Sequence, residues 1–433
     1  MLEKLKNHGQ LVISHKDWKA HLTFIVGGTI VGLFATFMAV SSEWANNLFR
    51  TGVEHYPWLP FIVSPAGLIL VLWLTRKFFP GSEGSGIPQV MAALELGHEN
   101  ERGILLSIRI ALGKVLLCVL GLLSGASIGR EGPTVHIGAS IMFSLRHWVR
   151  FRLYDMERVL ILTGGAAGVA AAFNTPLAGI VFGIEELSRS FEVRTRGLML
   201  TGVMVASIFA IAIQGNYTYF GHSSALIGLQ DSLLPVIICG TMGGIFGGLF
   251  SFLLLKGNAL VAPWRASKPV IVAGLCGLSI AIIGYYSGNL TYGTGYDEAS
   301  RVVTHGESLG HQYAYLKLLA TVISYISGIP GGIFAPSLAT GAGIGAQVAD
   351  WLQVYPVGAL VLFGMVGYFS GVVQAPITAF VIVIEMTDKN ELILPMMVTA
   401  FIGTAISKMI CPTPIYSTLA NSFLPEDKKF VGH

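Results

Sequence analysis

The sequence predicts an all-α membrane protein built from many helices, several of them broken, and three observations support this fold class. Only 12% of its 433 residues are charged while 53% are hydrophobic, whereas a soluble chain carries about a quarter charged residues. Long stretches without charge recur along the chain, and glycine and proline interrupt several of them. The two halves of the chain also resemble each other.

The charge-free stretches are long enough to test against the thickness of a membrane. A bilayer core requires about 20 apolar residues per crossing helix, so any stretch of more than that length can span it. Eight such stretches contain no Asp, Glu, Lys or Arg, namely 20–42, 55–75, 159–184, 197–230, 232–255, 269–296, 318–349 and 351–384. The protein is therefore expected to cross a lipid bilayer several times.

The few charges are dispersed. A net charge of +3 spread over both ends and short loops argues against a nucleic-acid surface, which would be a basic stripe. Basic residues collect on the cytoplasmic side of a membrane, so both termini are expected there. The lysines behind this expectation are Lys4, Lys6, Lys16 and Lys19 before the first span and Lys408, Lys428 and Lys429 after the last. The first apolar stretch lacks a cleavage signature, so it is not read as a removed signal peptide.

The internal resemblance consists of two blocks. The segment 168–187 matches 367–387 with Pro176 opposite Pro376, an offset of 200 (376 − 176). The segment 124–139 matches 327–342 with Pro133 opposite Pro336, an offset of 203 (336 − 133). The chain is therefore a duplication, and transporters place substrate sites where such repeats meet. The expected organisation is an N-terminal segment 1–20, a first repeat 21–215, a linker 216–232, a second repeat 233–412, and a final segment 413–433.

Three clusters of small residues precede a proline: Gly84–Pro88, Gly129–Pro133 and Gly332–Pro336. Proline favours the first turn of a helix, and glycine lets backbone N–H groups approach a ligand. A helix N-terminus carries roughly half a positive charge and several free donors. Three such N-termini meeting inside a membrane form an anion site without a buried lysine or arginine, and such partial charges allow the anion to leave again.

These clusters, with the sequences GSGIP, GREGP and GIFAP in that order, resemble the CLC chloride channel and transporter family, and Tyr416 matches a further family tyrosine. The resemblance extends from about residue 20 to about residue 420. It implies a homodimer of tilted and broken helices, with an inverted repeat and a separate pathway in each subunit. It also implies exchange of chloride for protons without a cofactor. The short polar tail 421–433 favours a prokaryotic inner membrane as the location.

The resemblance further implies roles for individual residues. Ser85, Tyr416 and the backbone amides of Ile333 and Phe334 correspond to the family's anion ligands. Glu131 corresponds to the external gate that also accepts protons, and Glu186 to the internal proton relay.

Glu131 can also be argued from physics alone. A carboxylate beside helix N-termini can occupy an anion position itself, and protonation removes the charge that holds it there. Ionisable residues inside a membrane are functional by default. The alternative is a plain ion pair between Glu131 and its neighbour Arg130.

Glu186 is open to two interpretations. It is either a helix-end acid paired with one of the following arginines (Arg189, Arg194 or Arg196) or the internal proton acceptor. The second interpretation favours an exchanger, and the first leaves a passive chloride channel of the same fold as the alternative.

Four other positions near these motifs bear on the prediction. Gln89 and Met91 stand where well-studied bacterial exchangers tend to have acids, although Glu95 remains nearby. Lys114 is either a buried charge that favours anions or a side chain that extends to the membrane surface. His136 is expected to be a packed histidine.

Residues that could indicate an enzyme are few. Gly125–Gly129 matches G-x-S-x-G, the nucleophile elbow of serine hydrolases, and His136 is near in sequence. That elbow requires a strand before its helix, and this stretch is helical and apolar. The cysteines Cys118, Cys239, Cys276 and Cys411 lie far apart in apolar sequence and are expected to be buried rather than metal ligands. Neither an enzyme nor a metalloprotein is therefore expected.

Overall fold

The computed structural model describes residues 15–97, 99–148, 156–187, 196–215, 218–221, 227–353 and 355–430. Over these ranges the chain is helical and contains no β-strand beyond two isolated bridges, which confirms the predicted all-α fold class. Lys4 and Lys6, used above to orient the termini, lie outside the described residues, as does part of the expected linker 216–232.

The first half contains nine α-helices among its described residues. They are α1 (His15–His55), α2 (Pro60–Phe78), α3 (Ile87–Glu95), α4 (Glu99–Leu105), α5 (Ile108–Leu123), α6 (Glu131–Ser144), α7 (Met156–Phe173), α8 (Pro176–Phe182) and α9 (Arg196–Gln214). A π-helical turn, Gly183–Leu187, continues α8.

The second half repeats this order. Its helices are α10 (Leu233–Ser267), α11 (Pro269–Tyr286), α12 (Tyr296–His305), α13 (Tyr313–Ile326), α14 (Phe334–Leu352), α15 (Val357–Val373), α16 (Pro376–Thr387), α17 (Ile393–Ile410) and α18 (Ile415–Ala420). Helix α14 begins 203 residues after α6 (334 − 131), and α16 begins 200 residues after α8 (376 − 176). Equivalent sequence blocks thus form equivalent helices.

Reciprocal contacts relate the two halves. Gly129 N–H donates to Gly332 C=O at 2.7 Å, and Gly332 N–H donates to Gly129 C=O at 2.8 Å. The carboxylate of Glu185 accepts from the first N–H groups of α16, at 3.1 and 2.6 Å. Glu385 accepts from the first N–H groups of α8 at the same two distances. Contacts in which each half offers the same group to the other are characteristic of two-fold symmetry, so a pseudo-two-fold axis relates the repeats.

Among the described residues, eight helical segments are long and apolar enough to cross a membrane. These segments do not coincide with the eight charge-free stretches. The stretch 318–349, for example, contains part of α13, a break at 327–333, and most of α14. Gly328 in that break has φ +87°, a conformation that glycine adopts readily and that ends a helix. Conversely, Glu99–Leu123 is an apolar span although it carries Arg109 and Lys114.

Several glycines allow close helix packing, among them Gly243, Gly244 and Gly247. A Cβ atom on Gly244 of α10 would lie 2.6 Å from the carbonyl oxygen of Gly403 and 2.9 Å from the Cβ of Ile406, both on α17. The helices would have to move apart to accommodate it.

Gly244→Ala is therefore expected to destabilise the protein by about 1–3 kcal/mol, the usual cost of overpacking a core. The measurement is the thermal unfolding midpoint in detergent. Gly103→Ala is the matched control, because a Cβ on Gly103 meets nothing within 4 Å and alanine favours helix. Equal midpoints for the two variants would contradict the packing argument.

Candidate anion-binding site

The three glycine–proline clusters lie together. Gly84 N–H donates to Ile329 C=O at 3.2 Å, and Gly331 N–H donates to Gly84 C=O at 3.0 Å. The reciprocal pair of Gly129 and Gly332 links the other two clusters. Segments almost 250 residues apart (330 − 84) are thus joined through their backbones.

Three helices begin at this junction. Helix α3 starts after Gly86, whose φ of +99° favours glycine, and a Cβ there would lie 2.5 Å from the Cβ of His136. Helix α6 starts at Glu131 and α14 at Phe334. Their N–H groups supply the partial positive charge that an anion requires. We call the point where α6 and α14 begin the anion position.

Two buried hydroxyl groups belong to the same region. Ser85 and Tyr416 are each fully buried, and neither Ser85 Oγ nor Tyr416 Oη has a hydrogen-bond partner among the described residues. The two hydroxyls lie close to each other, and a Cβ on Gly132 would collide with Ser85 Oγ. An unsatisfied buried hydroxyl costs about 1–3 kcal/mol, so these two groups are suited to donate to a ligand.

Glu131 occupies the anion position. Its side chain is fully buried, and Oε2 accepts a hydrogen bond from Ala335 N–H, in the first turn of α14, at 3.4 Å. Oε1 accepts from the Tyr219 hydroxyl at 3.1 Å. Arg130 Nε lies 4.0 Å from Oε1, while Arg130 Nη1 donates to Ala39 C=O at 2.7 Å. The ion pair with Arg130 is thus the longest of these contacts.

Phe334 connects the predicted residues. Its ring centroid lies 6.0 Å from that of Tyr416 and 4.9 Å from that of Phe369. Phe173 stacks on Phe334 at 6.1 Å and meets Tyr219 edge-on at 5.4 Å. Aromatic contacts therefore run from Tyr416 to Tyr219 past the anion position. Tyr219 could not be predicted from the sequence, because it lies in no motif and falls in the expected linker.

Open cavities lie on two sides of the site. One, of about 360 Å³, is lined by Arg130 and Tyr219, whose side chains contact Glu131, together with Ser42, Glu43 and Thr294. The other, of about 580 Å³, is lined by Gly84, Gln89, Arg265 and Tyr325. We call them the gate cavity and the serine-side cavity. The two cavities border different parts of the junction.

The loop that carries Ser85 is held by two side chains. Lys114 is fully buried, and its Nζ donates to Gly84 C=O at 2.6 Å, so it does not extend to the membrane surface. Gln89 Nε2 donates to Glu83 C=O at 2.7 Å, a contact that a carboxylate could not make. Lys317, at the repeat offset of 203 from Lys114 (317 − 114), similarly donates to Gly293 C=O at 2.8 Å.

Glu186 lies apart from the helix starts, in the π-helical turn after α8, and is partly exposed. The charges of both Glu186 and Glu131 act on the Tyr416 hydroxyl, so this tyrosine lies within electrostatic range of both acids. Arg189 and Arg194, two of the expected partners of Glu186, lie outside the described residues, and so does the Arg196 side chain. Met91 is buried on α3.

The serine-hydrolase alternative is wrong in its geometry. Ser127 Oγ is hydrogen-bonded to Thr321 Oγ1 at 2.9 Å, and Ser127 N–H donates to Ser324 Oγ. His136 is buried, with Nε2 2.8 Å from Leu105 C=O. No serine–histidine pair forms between these two residues. All four cysteines are free and buried, as predicted, and the described residues hold no metal-ligand cluster.

Comparison with known proteins gives consistent results. The family model described as "Voltage gated chloride channel" matches residues 66–408. The "H(+)/Cl(-) exchange transporter ClcA" of Citrobacter koseri is 32% identical over 94% of this chain and 89% of its own length. Its counterpart from Klebsiella pneumoniae is 31% identical over 93% of this chain and 88% of its own length.

Solved structures agree in fold. A slow cyanobacterial Cl⁻/H⁺ antiporter superposes with a TM-score of 0.81 at 27% identity, covering 94% of this chain and 99% of that one. A CLC-type fluoride/proton antiporter superposes with a TM-score of 0.80 at 22% identity, covering 94% and 98%. The second likeness bears on the fold alone.

Proposed function

We propose that this chain, which belongs to the voltage-gated chloride channel family, exchanges chloride for protons across a membrane. The observation that carries the proposal is the buried carboxylate of Glu131, which accepts hydrogen bonds at the start of α14, where an anion would bind. The names of the bacterial relatives and of the cyanobacterial structure support exchange over passive conduction.

In this proposal chloride binds between the two cavities. The hydroxyls of Ser85 and Tyr416 and the backbone amides of Ile333 and Phe334 donate to it. Neutral donors and helix N-termini stabilise the anion without a full opposing charge, so it can both enter and leave. Lys114 and Gln89 act indirectly by holding the Ser85 loop.

Glu131 couples the two ions. When ionised, it occupies the anion position and excludes chloride. When a proton binds, the carboxyl group loses the charge that held it at the helix starts, moves toward the gate cavity, and admits chloride. Chloride can therefore bind at the anion position only when Glu131 is protonated, and this condition couples chloride movement to proton movement in the opposite direction.

Glu186 is proposed to pass protons between Glu131 and the opposite side of the membrane. Its partial exposure and its electrostatic proximity to Tyr416 support this role. Gln89 and Met91 supply no acid, so protons would reach Glu186 through other groups, for which Glu95 is a candidate.

Three further points complete the proposal. The protein forms a homodimer, lies in the inner membrane of a prokaryote, as the bacterial relatives suggest, and needs no cofactor. In a test by subunit cross-linking in proteoliposomes, recovery of monomers alone would contradict the dimer.

The test of the function is a flux assay. In proteoliposomes loaded with chloride, the outward chloride gradient is expected to drive protons inward against their own gradient. Collapse of the chloride gradient without proton movement would contradict exchange and favour the passive channel. Added fluoride, nitrate and bromide gradients would define the anion range.

Ser85→Ala is expected to weaken chloride binding about tenfold or more, because a hydrogen bond to a charged group contributes about 1.5–3 kcal/mol. Calorimetric titration of the purified protein with chloride measures this. Ser140→Ala is the matched control, since Ser140 is also buried and without a partner but lies in the third turn of α6. Equal affinities in the two variants would exclude Ser85 as an anion ligand.

A further inference from the structure

Tyr219 is a residue that the sequence motifs do not include. It lies in the described segment 218–221 between the repeats, is 1% exposed, and borders the gate cavity. Its hydroxyl donates to Glu131 Oε1 at 3.1 Å. It therefore contacts the carboxylate directly, from the gate-cavity side, while Ala335 N–H contacts the other oxygen.

The ring of Tyr219 is fixed by its neighbours. Tyr296 and Phe220 meet it edge-on with centroids at 5.0 and 4.9 Å, and Phe173 does so at 5.4 Å. The guanidinium carbon of Arg130 lies 5.6 Å from the ring centroid, within the range of a cation–π contact. These contacts involve the ring alone, so phenylalanine would preserve them.

The backbone of this segment is also anchored. Phe220 N–H donates to Met386 C=O at 3.2 Å on α16. Ser300 Oγ, on α12, donates to Phe220 C=O at 3.3 Å. Because two helices of the second repeat hold the segment, the Tyr219 hydroxyl has a defined position while the Glu131 side chain moves.

We propose that Tyr219 is a positioning residue for the gate, whose hydroxyl holds the ionised Glu131 carboxylate at the anion position. A hydrogen bond to a charged acceptor is stronger than one between neutral groups, so this donor favours the state in which Glu131, not chloride, occupies the site. A ligand's apparent affinity falls with the fraction of protein competent to bind it. Tyr219 therefore lowers the apparent chloride affinity and slows the exchange of one anion for another.

This inference depends on the proposed role of Glu131 as a competitor for chloride. A purely structural role for Tyr219 would have a different consequence, because it would affect stability whatever residue occupies position 131. The distinction can be measured by combining substitutions at the two positions.

The experiment is calorimetric titration of sodium chloride into the detergent-purified protein in a chloride-free isethionate buffer. Tyr219→Phe is expected to bind chloride about tenfold more tightly than the wild type. In a Glu131→Ala background, in which no carboxylate competes, adding Tyr219→Phe is expected to leave the affinity unchanged. Tyr292→Phe is the matched control, since it removes another buried tyrosine hydroxyl, hydrogen-bonded to Ala281 C=O at 3.2 Å.

Two outcomes would overturn the proposal. One is an unchanged chloride affinity in Tyr219→Phe with a normal unfolding midpoint, and the other is the same tightening in the Glu131→Ala background. Because binding is measured without transport, failure of the proposed exchange function would be seen separately in the flux assay. In that assay Tyr219→Phe is expected to raise the initial chloride exchange rate at an unchanged ratio of chloride to protons.

Discussion

Replacing Glu131 by glutamine is expected to abolish proton pumping, to the level of protein-free liposomes, while chloride continues to flow. Glutamine has nearly the same shape, although its single amide oxygen can accept from only one of the two donors that contact Glu131, Ala335 N–H and Tyr219 Oη. It carries no charge to compete with chloride at the starts of α6 and α14, and it binds no proton at working pH. Simultaneous recording of chloride and proton fluxes from proteoliposomes measures both effects.

A matched control for Glu131→Gln is Glu43→Gln. Glu43 is an exposed acid that borders the gate cavity, so this substitution removes one negative charge nearby without altering the anion position. It is expected to retain coupled exchange. Persistent proton pumping in Glu131→Gln would remove Glu131 from the proton path, and loss of chloride flux would show that the carboxylate is needed for conduction rather than for gating.

The same pair of proteins tests the pH dependence of chloride flux. Wild-type flux is expected to rise as the pH on the gate side falls, because protonation frees the anion position. The flux through Glu131→Gln is expected to be insensitive to that pH. A parallel rise in both proteins would mean that another group controls access.

The helical class and the duplication could be predicted from the sequence because both depend on local patterns. Charge-free stretches and matched blocks such as those around Pro176 and Pro376 are visible without any contact information. The number and position of crossings could not be read in the same way. Gly328 divides a charge-free stretch into two helices. The buried Lys114 can lie inside an apolar span because backbone carbonyls accept hydrogen bonds from its ammonium group.

The residues of the candidate site likewise include some that could be predicted from local sequence patterns and others that could not. Ser85, Glu131 and Phe334 stand in recognisable clusters next to helix starts, and the physical argument for an anion there needs only helix geometry. Tyr219 was missed because its role comes from a contact across 88 residues (219 − 131), and tyrosine in a linker has no pattern of its own. The reciprocal contacts of Glu185 and Glu385 were also not anticipated, although their alignment at the repeat offset could have suggested them.

Replacing Glu186 by glutamine is expected to eliminate proton pumping while preserving chloride flux, as Glu131→Gln does, but for a different reason. Glu186 lies in the π-helical turn after α8 and is not among the anion ligands of the proposed mechanism. Removing its acid group interrupts proton delivery to Glu131 from the opposite side. The same dual-flux recording measures the loss, and the calorimetric chloride affinity is expected to match that of the wild type.

The neighbouring acid supplies the control. Glu185 accepts two backbone hydrogen bonds at the start of α16, so Glu185→Gln is expected to lower the unfolding midpoint, because an uncharged acceptor stabilises a helix N-terminus less, while proton coupling is retained. The two variants lose one carboxylate each at adjacent positions, and only one of them should lose pumping. If Glu185→Gln lost pumping and Glu186→Gln retained it, the relay would belong to Glu185. If both retained full coupling, protons would reach Glu131 by a route that avoids this turn.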